Sequence, residues 1–274
     1  MRKIKKVLAL GLAAALTVAT FTGCGDKKES KEDDVIKIGL TGTIYEEIWN
    51  PIKDKLADEG IKIELVQFSD FSLPNNALAA GDIDLNAFQH HAYFNNDTST
   101  NGYDLTPIGD TFVIAMNLYS DKVDSVDEIK DGDKVAIPND ASNGGRALKL
   151  LESAGLLEIK EDAGKNPEVA DIEKYNVEIE LVEMEAANIC TALPDVTAAV
   201  INGNYALDFG IDPQEDAIYK ETEYDDDSYF CLIAARTDEK DKEEYKKIVE
   251  AFQSEDTEKI FEDVFKGFFV PVWK

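Results

Sequence analysis

Lys134-Val135-Ala136-Ile137-Pro138-Asn139-Asp140-Ala141-Ser142-Asn143-Gly144-Gly145-Arg146 changes character twice in a short span. Residues 134–137 have the length and apolar content of a buried strand. A polar stretch follows, and 146–154 then carries apolar residues at helical spacing until Gly155 stops it. Strand, loop and helix in that order form the repeating unit of an α/β layer. The loop would lie beyond the carboxyl end of the strand, where open α/β sheets bind ligands. Ser142 or Asn143 can cap the helix, and the two glycines would let backbone approach a ligand closely. Arg146, in the first turn, offers a guanidinium fork that suits a carboxylate. A capped helix with a surface arginine would read the same way. No Lys-Ser/Thr pair follows the glycines, so this is not a nucleotide P-loop.

Working outward, the same alternation continues on both sides. Upstream, strands are expected at 35–40, 61–68, 85–88 and 110–118. Helices are expected at 45–59, where Gly60 is a stop and Pro51 a kink or restart, and at 73–80, where Pro74 fits the first turn. A further helix lies between the last two strands. Downstream, strands are expected at 177–182, 198–201 and 229–235, and helices at 185–193, from 206, at 242–252 and at 256–265. Ser125 can cap a short helix before 134. The pattern predicts an α/β fold with mostly parallel sheets, in two successive series of similar size that argue for two lobes. It leaves open whether the final helices return to the first lobe.

The chain begins with Arg2, Lys3, Lys5 and Lys6, an uncharged apolar stretch over 7–21, and then Phe21-Thr22-Gly23-Cys24. The apolar stretch is short for a membrane span. It reads as a lipoprotein signal over 1–23, cleaved before a lipidated Cys24, with 24–34 as a polar tether. The expected location is the extracytoplasmic face of the cell membrane. The net charge is −28, and the expected cleavage removes only basic charge. So acidic a chain repels phosphate backbones and anionic lipid heads, which argues against nucleic acid as a partner.

Cys190 and Cys231 are too few for a disulfide framework and are expected to be buried small apolar residues. His90 and His91 are the only histidines, and sequence neighbours rarely face one metal ion together. No metal or other cofactor is expected. There is no Gly-x-Ser-x-Gly elbow and no cysteine near a histidine in sequence, so enzyme activity has little support. The segment Asn86-Ala87-Phe88-Gln89-His90-His91-Ala92-Tyr93 would suit an aromatic-walled pocket for an apolar side chain, or ordinary core aromatics.

Four segments, taken in order, resemble the NlpA/MetQ family of methionine-binding lipoproteins from ABC importers. They are Phe68-Ser69-Asp70-Phe71-Ser72-Leu73-Pro74-Asn75; Asn86-Ala87-Phe88-Gln89-His90; Val135 to Asp140 with Asn143-Gly144-Gly145-Arg146-Ala147-Leu148; and Ala199-Val200-Ile201-Asn202-Gly203-Asn204-Tyr205-Ala206. The resemblance runs from Ile36 to Trp273. It implies a periplasmic-binding-protein type II fold with a ligand cleft between the lobes, 35–118 with 231–274 forming the first lobe and 119–230 the second. It implies an L-methionine ligand, or D-methionine, another small amino acid or a methionine-containing dipeptide. The partners it implies are a membrane permease and its ATPase, served by a monomeric binding protein. By motif position, Arg146 would hold the ligand carboxylate and Asn204 the amino-acid head group. Phe71, Phe88, His90 and Tyr93 would line the side-chain pocket, with Asn143 and Asn202 as weaker candidates. Relatives usually carry Tyr where this chain has Phe71, so one hydroxyl is missing.

Overall fold

Strand β1, Ile36–Thr41, is buried along nearly its whole length, as its run of Ile and Leu requires of a strand covered on both faces. The computed structural model that contains it describes residues 35–224 and 226–273. The expected signal over 1–23, the lipidation of Cys24 and the tether over 24–34 lie outside the described residues. After β1, a single 3-10 turn, Thr43–Tyr45, runs into helix α1, Glu46–Asp58. Ile48, Trp49, Ile52 and Leu56 form its buried stripe. Pro51 lies on the exposed face, so its missing N–H falls on the solvent side and the helix continues without a restart. Strand β2 (Ile63–Phe68), helix α2 (Pro74–Ala80), strand β3 (Leu85–Asn86), helix α3 (His91–Asn101) and strand β4 (Leu105–Asp110) follow.

The expected strand over 110–118 is two strands, β5 (Phe112–Ile114) and β6 (Met116–Tyr119), broken at Ala115. The two strands pair in different sheets, and Gly203 packs on the joint between them. Gly203 sits so close that a Cβ on it would lie 2.6 Å from Ile114 Cγ1 and 2.7 Å from the Ala115 carbonyl oxygen. The chain then builds β7 (Lys134–Pro138), α4 (Ala141–Ser153), β8 (Leu157–Ile159), β9 (Ile172–Tyr175), β10 (Glu180–Met184), α5 (Ala186–Ala192), β11 (Ala198–Asn202), α6 (Gly203–Phe209) and β12 (Ala217–Tyr219). It finishes with β13 (Leu232–Arg236), α7 (Glu243–Phe252), α8 (Glu255–Asp263) and β14 (Phe269–Pro271). The β8–β9 hairpin has no counterpart in the sequence reading. Ser125 does cap a short 3-10 turn, accepting from the Asp127 N–H.

Two five-stranded sheets result, in the orders β2-β1-β3-β13-β4 and β10-β7-β11-β6-β12. In each, the first two pairings are parallel and the last two antiparallel, so the expectation of mostly parallel sheets is corrected to half. The parallel half comes from crossovers through helices. The antiparallel half starts at the strand that arrives from the other series: β6 in the second sheet, β13 in the first. Residues 116–118, at the expected boundary between the lobes, pair in the second sheet with β11 and β12. The final helices pack on the first lobe. Tyr245, Ile248, Phe252 and Phe261 share a core with Ile48 and Trp49, and the Trp49 and Phe252 rings are 5.0 Å apart. β14 pairs with β5 beside them.

Candidate functional site

The carboxyl ends of β1, β2, β3, β7 and β11 converge on one narrow cavity of about 20 Å3, pinched between the two lobes. Phe71, Phe88, His90, Tyr93, Asn143, Arg146, Asn202 and Asn204, the eight residues singled out from sequence, all line it. The first lobe supplies the aromatic side. Phe71 and Phe88 lie 5.9 Å apart, Phe88 and Tyr93 5.9 Å edge to face, and Phe71 and Tyr93 6.0 Å. Such tilted and edge-to-face pairs follow from the aromatic quadrupole. The Tyr93 hydroxyl donates to the Phe71 carbonyl at 2.9 Å, tying the two segments together.

A buried amide network holds this wall from behind. Asn86 and Gln89 side chains both donate to Asn75 Oδ1, at 2.9 and 2.6 Å. Asn75 donates in return to Gln89 and to Asp97, both at 2.8 Å. Every buried amide here has partners, which is what makes such a network rigid rather than costly. The 88–91 segment is also pinned by backbone bonds, from Leu232 N–H to Gln89 O and from His91 N–H to Phe230 O.

His90 caps α3. Its Nδ1 accepts the Tyr93 N–H at 3.1 Å, so the proton sits on Nε2, which donates to Asn143 Oδ1 at 3.2 Å across the lobes. Burial, with the nearby Arg146 charge, lowers its pKa to about 3, so the ring is neutral. His91 turns away and pairs with Asp110 at 2.7 Å. The two histidines therefore have different partners.

The second lobe supplies the polar side, and here several local expectations change. Helix α4 starts at Ala141 with Asp140, not Ser142 or Asn143, as its cap. Asp140 Oδ1 accepts the Asn143 N–H and the Ser142 hydroxyl, both at 2.9 Å. Arg146 is consequently in the second turn. The glycines do not open backbone toward a ligand. A Cβ on Gly144 would lie 2.9 Å from the Pro138 carbonyl, and one on Gly145 2.9 Å from Asn166 Cα, so both are there for internal packing.

Arg146 lies against the cavity, but its fork is already engaged. Nε donates to Glu221 Oε1 at 2.7 Å and Nη2 to Glu221 Oε2 at 2.5 Å. Nη2 also reaches the Ile114 carbonyl at 2.9 Å. The two side chains are only 3% and 9% exposed, so this is a buried pair. Burial works against the charge, yet Glu221 outweighs it and holds the guanidinium firmly protonated. The Tyr229 ring stacks 4.3 Å from the guanidinium carbon.

Asn143 Oδ1 also accepts from Asn202 Nδ2 at 2.8 Å, which leaves Asn202 Oδ1 buried without a hydrogen-bond partner. A buried unpaired acceptor is expensive, and one that lines a cavity is a place for a donor. Asn204 Nδ2 donates to the Thr41 carbonyl at 3.0 Å, linking α6 to the end of β1.

Tyr45, Ile114 and Cys231 also line the cavity without having been expected there, and three further residues contact its lining. Glu221 lies in an acidic stretch with nothing to single it out. Tyr229 stood in a region read as a strand. Tyr205 packs 4.8 Å from Phe71 across the cleft, a contact that its place in the 199–206 motif does not reveal. Cys190 and Cys231 are free and buried, as expected, and burial raises their thiol pKa values to about 11 and about 12.

Residues 36–273 match the model of the NlpA lipoprotein family. The D-methionine-binding lipoprotein MetQ of Salmonella typhimurium is 40% identical over 275 residues, covering 99% of each chain. A crystal structure of the methionine-binding protein MetQ superposes with a TM-score of 0.85 at 38% identity, over 89% of this chain and 100% of that one. A nutrient-binding protein from Burkholderia cenocepacia, solved bound to methionine, superposes with a TM-score of 0.82 at 36% identity, over 86% and 99%.

Proposed function

The chain belongs to the NlpA lipoprotein family, and we propose that it binds methionine between its two lobes and delivers it to an ABC-importer permease from a lipid anchor on Cys24. The observation that carries the ligand assignment is the meeting, in one cavity, of an aromatic wall with an unpaired buried acceptor and a protonated arginine. A free amino acid is a zwitterion. Both its charged ends must find partners when it leaves water. Asn202 Oδ1 would accept from the ammonium. The guanidinium of Arg146 would face the carboxylate, with Asn204 beside it. Because Arg146 and Glu221 neutralise each other and His90 is neutral, these groups present dipoles without net charge, which matches a ligand of no net charge. The thioether would lie among Phe71, Phe88 and Tyr93, where sulfur–aromatic contact contributes roughly 0.3–1.5 kcal/mol.

Similarity to methionine-binding lipoproteins over the whole chain supports the same reading. The Salmonella relative's name specifies the D-form, so both enantiomers belong in the test. Calorimetry with L-methionine, D-methionine and alanine should show at least one methionine enantiomer binding about 10- to 100-fold more tightly than alanine, the range set by burying one methionine side chain. Equal affinity for methionine and alanine would remove the pocket assignment.

A further inference from the structure

The helix that starts at Thr43 has no cap of its own. Gly42 is its N-cap, without a side chain. The cap comes from the other lobe. Asp208, near the end of α6, accepts the Ile44 N–H at 2.8 Å and the Thr43 hydroxyl at 2.8 Å on Oδ1, and the Thr43 N–H at 3.1 Å on Oδ2. These are the orphan donors of a helix start, and a carboxylate there also meets the positive end of the helix dipole. Room for it exists only because residue 42 is glycine. The backbone there has φ of +119°, and a Cβ would lie 2.6 Å from Asp208 Oδ2.

Asp208 follows Asn204 by four residues, so both share one face of α6, and Asn204 donates to Thr41 O one turn earlier. The whole 41–44 segment of the first lobe is therefore gripped by one short helix of the second. The same helix begins immediately after Asn202, at the cavity. All four bonds join the two lobes, so each exists only while the lobes are together.

We propose that Asp208 is a positioning residue for ligand retention: it caps the first lobe's helix from the second lobe and so holds the cleft closed, although it does not line the cavity. This rests on the reading of the cavity as an amino-acid site. Losing Asp208 should speed ligand escape far more than it slows ligand entry, because entry starts from separated lobes. Asp208 is itself exposed, so the expected size is that of an ordinary cap, an increase in release rate of about 2- to 30-fold.

The test uses the full lipidated chain in detergent. Release of radiolabelled methionine into excess unlabelled methionine gives the dissociation rate, and hydrogen exchange of the peptide over 42–46 reads the latch directly. Asp208→Ala should raise both, with exchange in α7 and α8 unchanged. Asp208→Asn keeps one acceptor oxygen and should fall between wild type and Asp208→Ala. Gly42→Ala, which pushes on the carboxylate from the other side, should act in the same direction as Asp208→Ala. If wild type binds methionine and Asp208→Ala releases it at the wild-type rate, the proposal is overturned. If wild type does not bind methionine, the functional reading fails, and the exchange arm alone decides the latch. Faster exchange confined to 42–46 in Asp208→Ala then upholds it, and unchanged exchange overturns it.

Discussion

The two lobes share a plan and differ in what they bring to the cleft. Each has a five-stranded sheet with two parallel pairings followed by two antiparallel ones, and in each the fourth strand is the visitor from the other series, β13 or β6. Yet the first lobe presents Phe71, Phe88 and Tyr93, while the second presents Arg146, Asn143, Asn202 and Asn204. The topology repeats because the crossing rules repeat. The division fits the proposed ligand, with one wall for an apolar tail and the other for a pair of charges. A perturbation of the second lobe should therefore unbalance buried charge and be severe. One of the first should remove packing and be moderate.

The largest expected effect is on the second lobe. Arg146→Ala leaves Glu221 buried without its partner and should destabilise the protein by about 3–5 kcal/mol in urea unfolding. Arg146→Ala combined with Glu221→Ala should cost clearly less than the two single changes added together, because neither charge is then stranded. Additivity would mean that the pair is not the unit described.

Acid should act next, at the α3 cap: a proton added at His90 Nδ1 leaves it unable to accept the Tyr93 N–H, while the Nε2–H bond to Asn143 is kept. His90 is held at about 3, against an ordinary value near 6.5. Between these values the unfolded chain takes up a proton that the folded chain refuses. Stability from this group is fully present above pH 6.5 and is lost as pH falls toward 3, at up to about 1.4 kcal/mol per pH unit. The unfolding free energy of wild type minus that of His90→Gln should therefore shrink by about 2 kcal/mol from pH 6 to pH 4. Parallel pH profiles would contradict a buried neutral ring.

On the first lobe, Phe88→Ala should weaken methionine binding by about 3- to 10-fold in calorimetry, the scale of a sulfur–aromatic interaction. The same factor should apply to methionine amide, because in the proposed site this wall faces the side chain and not the carboxylate. A larger loss for methionine than for its amide would dissolve the division between the lobes.

The sequence carried the strand–loop–helix order, the two series and eight of the thirteen residues that line the cavity, because those depend on local periodicity and on short motifs. Asn75, Asn86 and Gln89 were visible as motif members, but their mutual hydrogen bonds were not, since they join residues from separate segments. Glu221 was illegible for a stronger reason. In a chain with 56 acidic residues, no single glutamate stands out until the fold sets it beside Arg146, 75 positions away. The close packing of Gly203 on Ile114 and Ala115 is likewise a contact that no local window contains. Capping failed by two or three residues, because Asp140, Ser142 and Asn143 are all competent caps and tertiary packing chose the first.

In the proposed function the second lobe reads the amino-acid head group, with the unpaired Asn202 Oδ1 as the acceptor for the ammonium. The most direct test is a calorimetric double cycle of wild type and Asn202→Ala against methionine and 4-(methylthio)butanoate, which lacks the amino group. Asn202→Ala should weaken methionine by roughly 10-fold, a lost hydrogen bond to a charged donor, and weaken the deaminated analogue by less than about 2-fold. An equal loss for both ligands would show that Asn202 only shapes its loop, and would contradict the assignment.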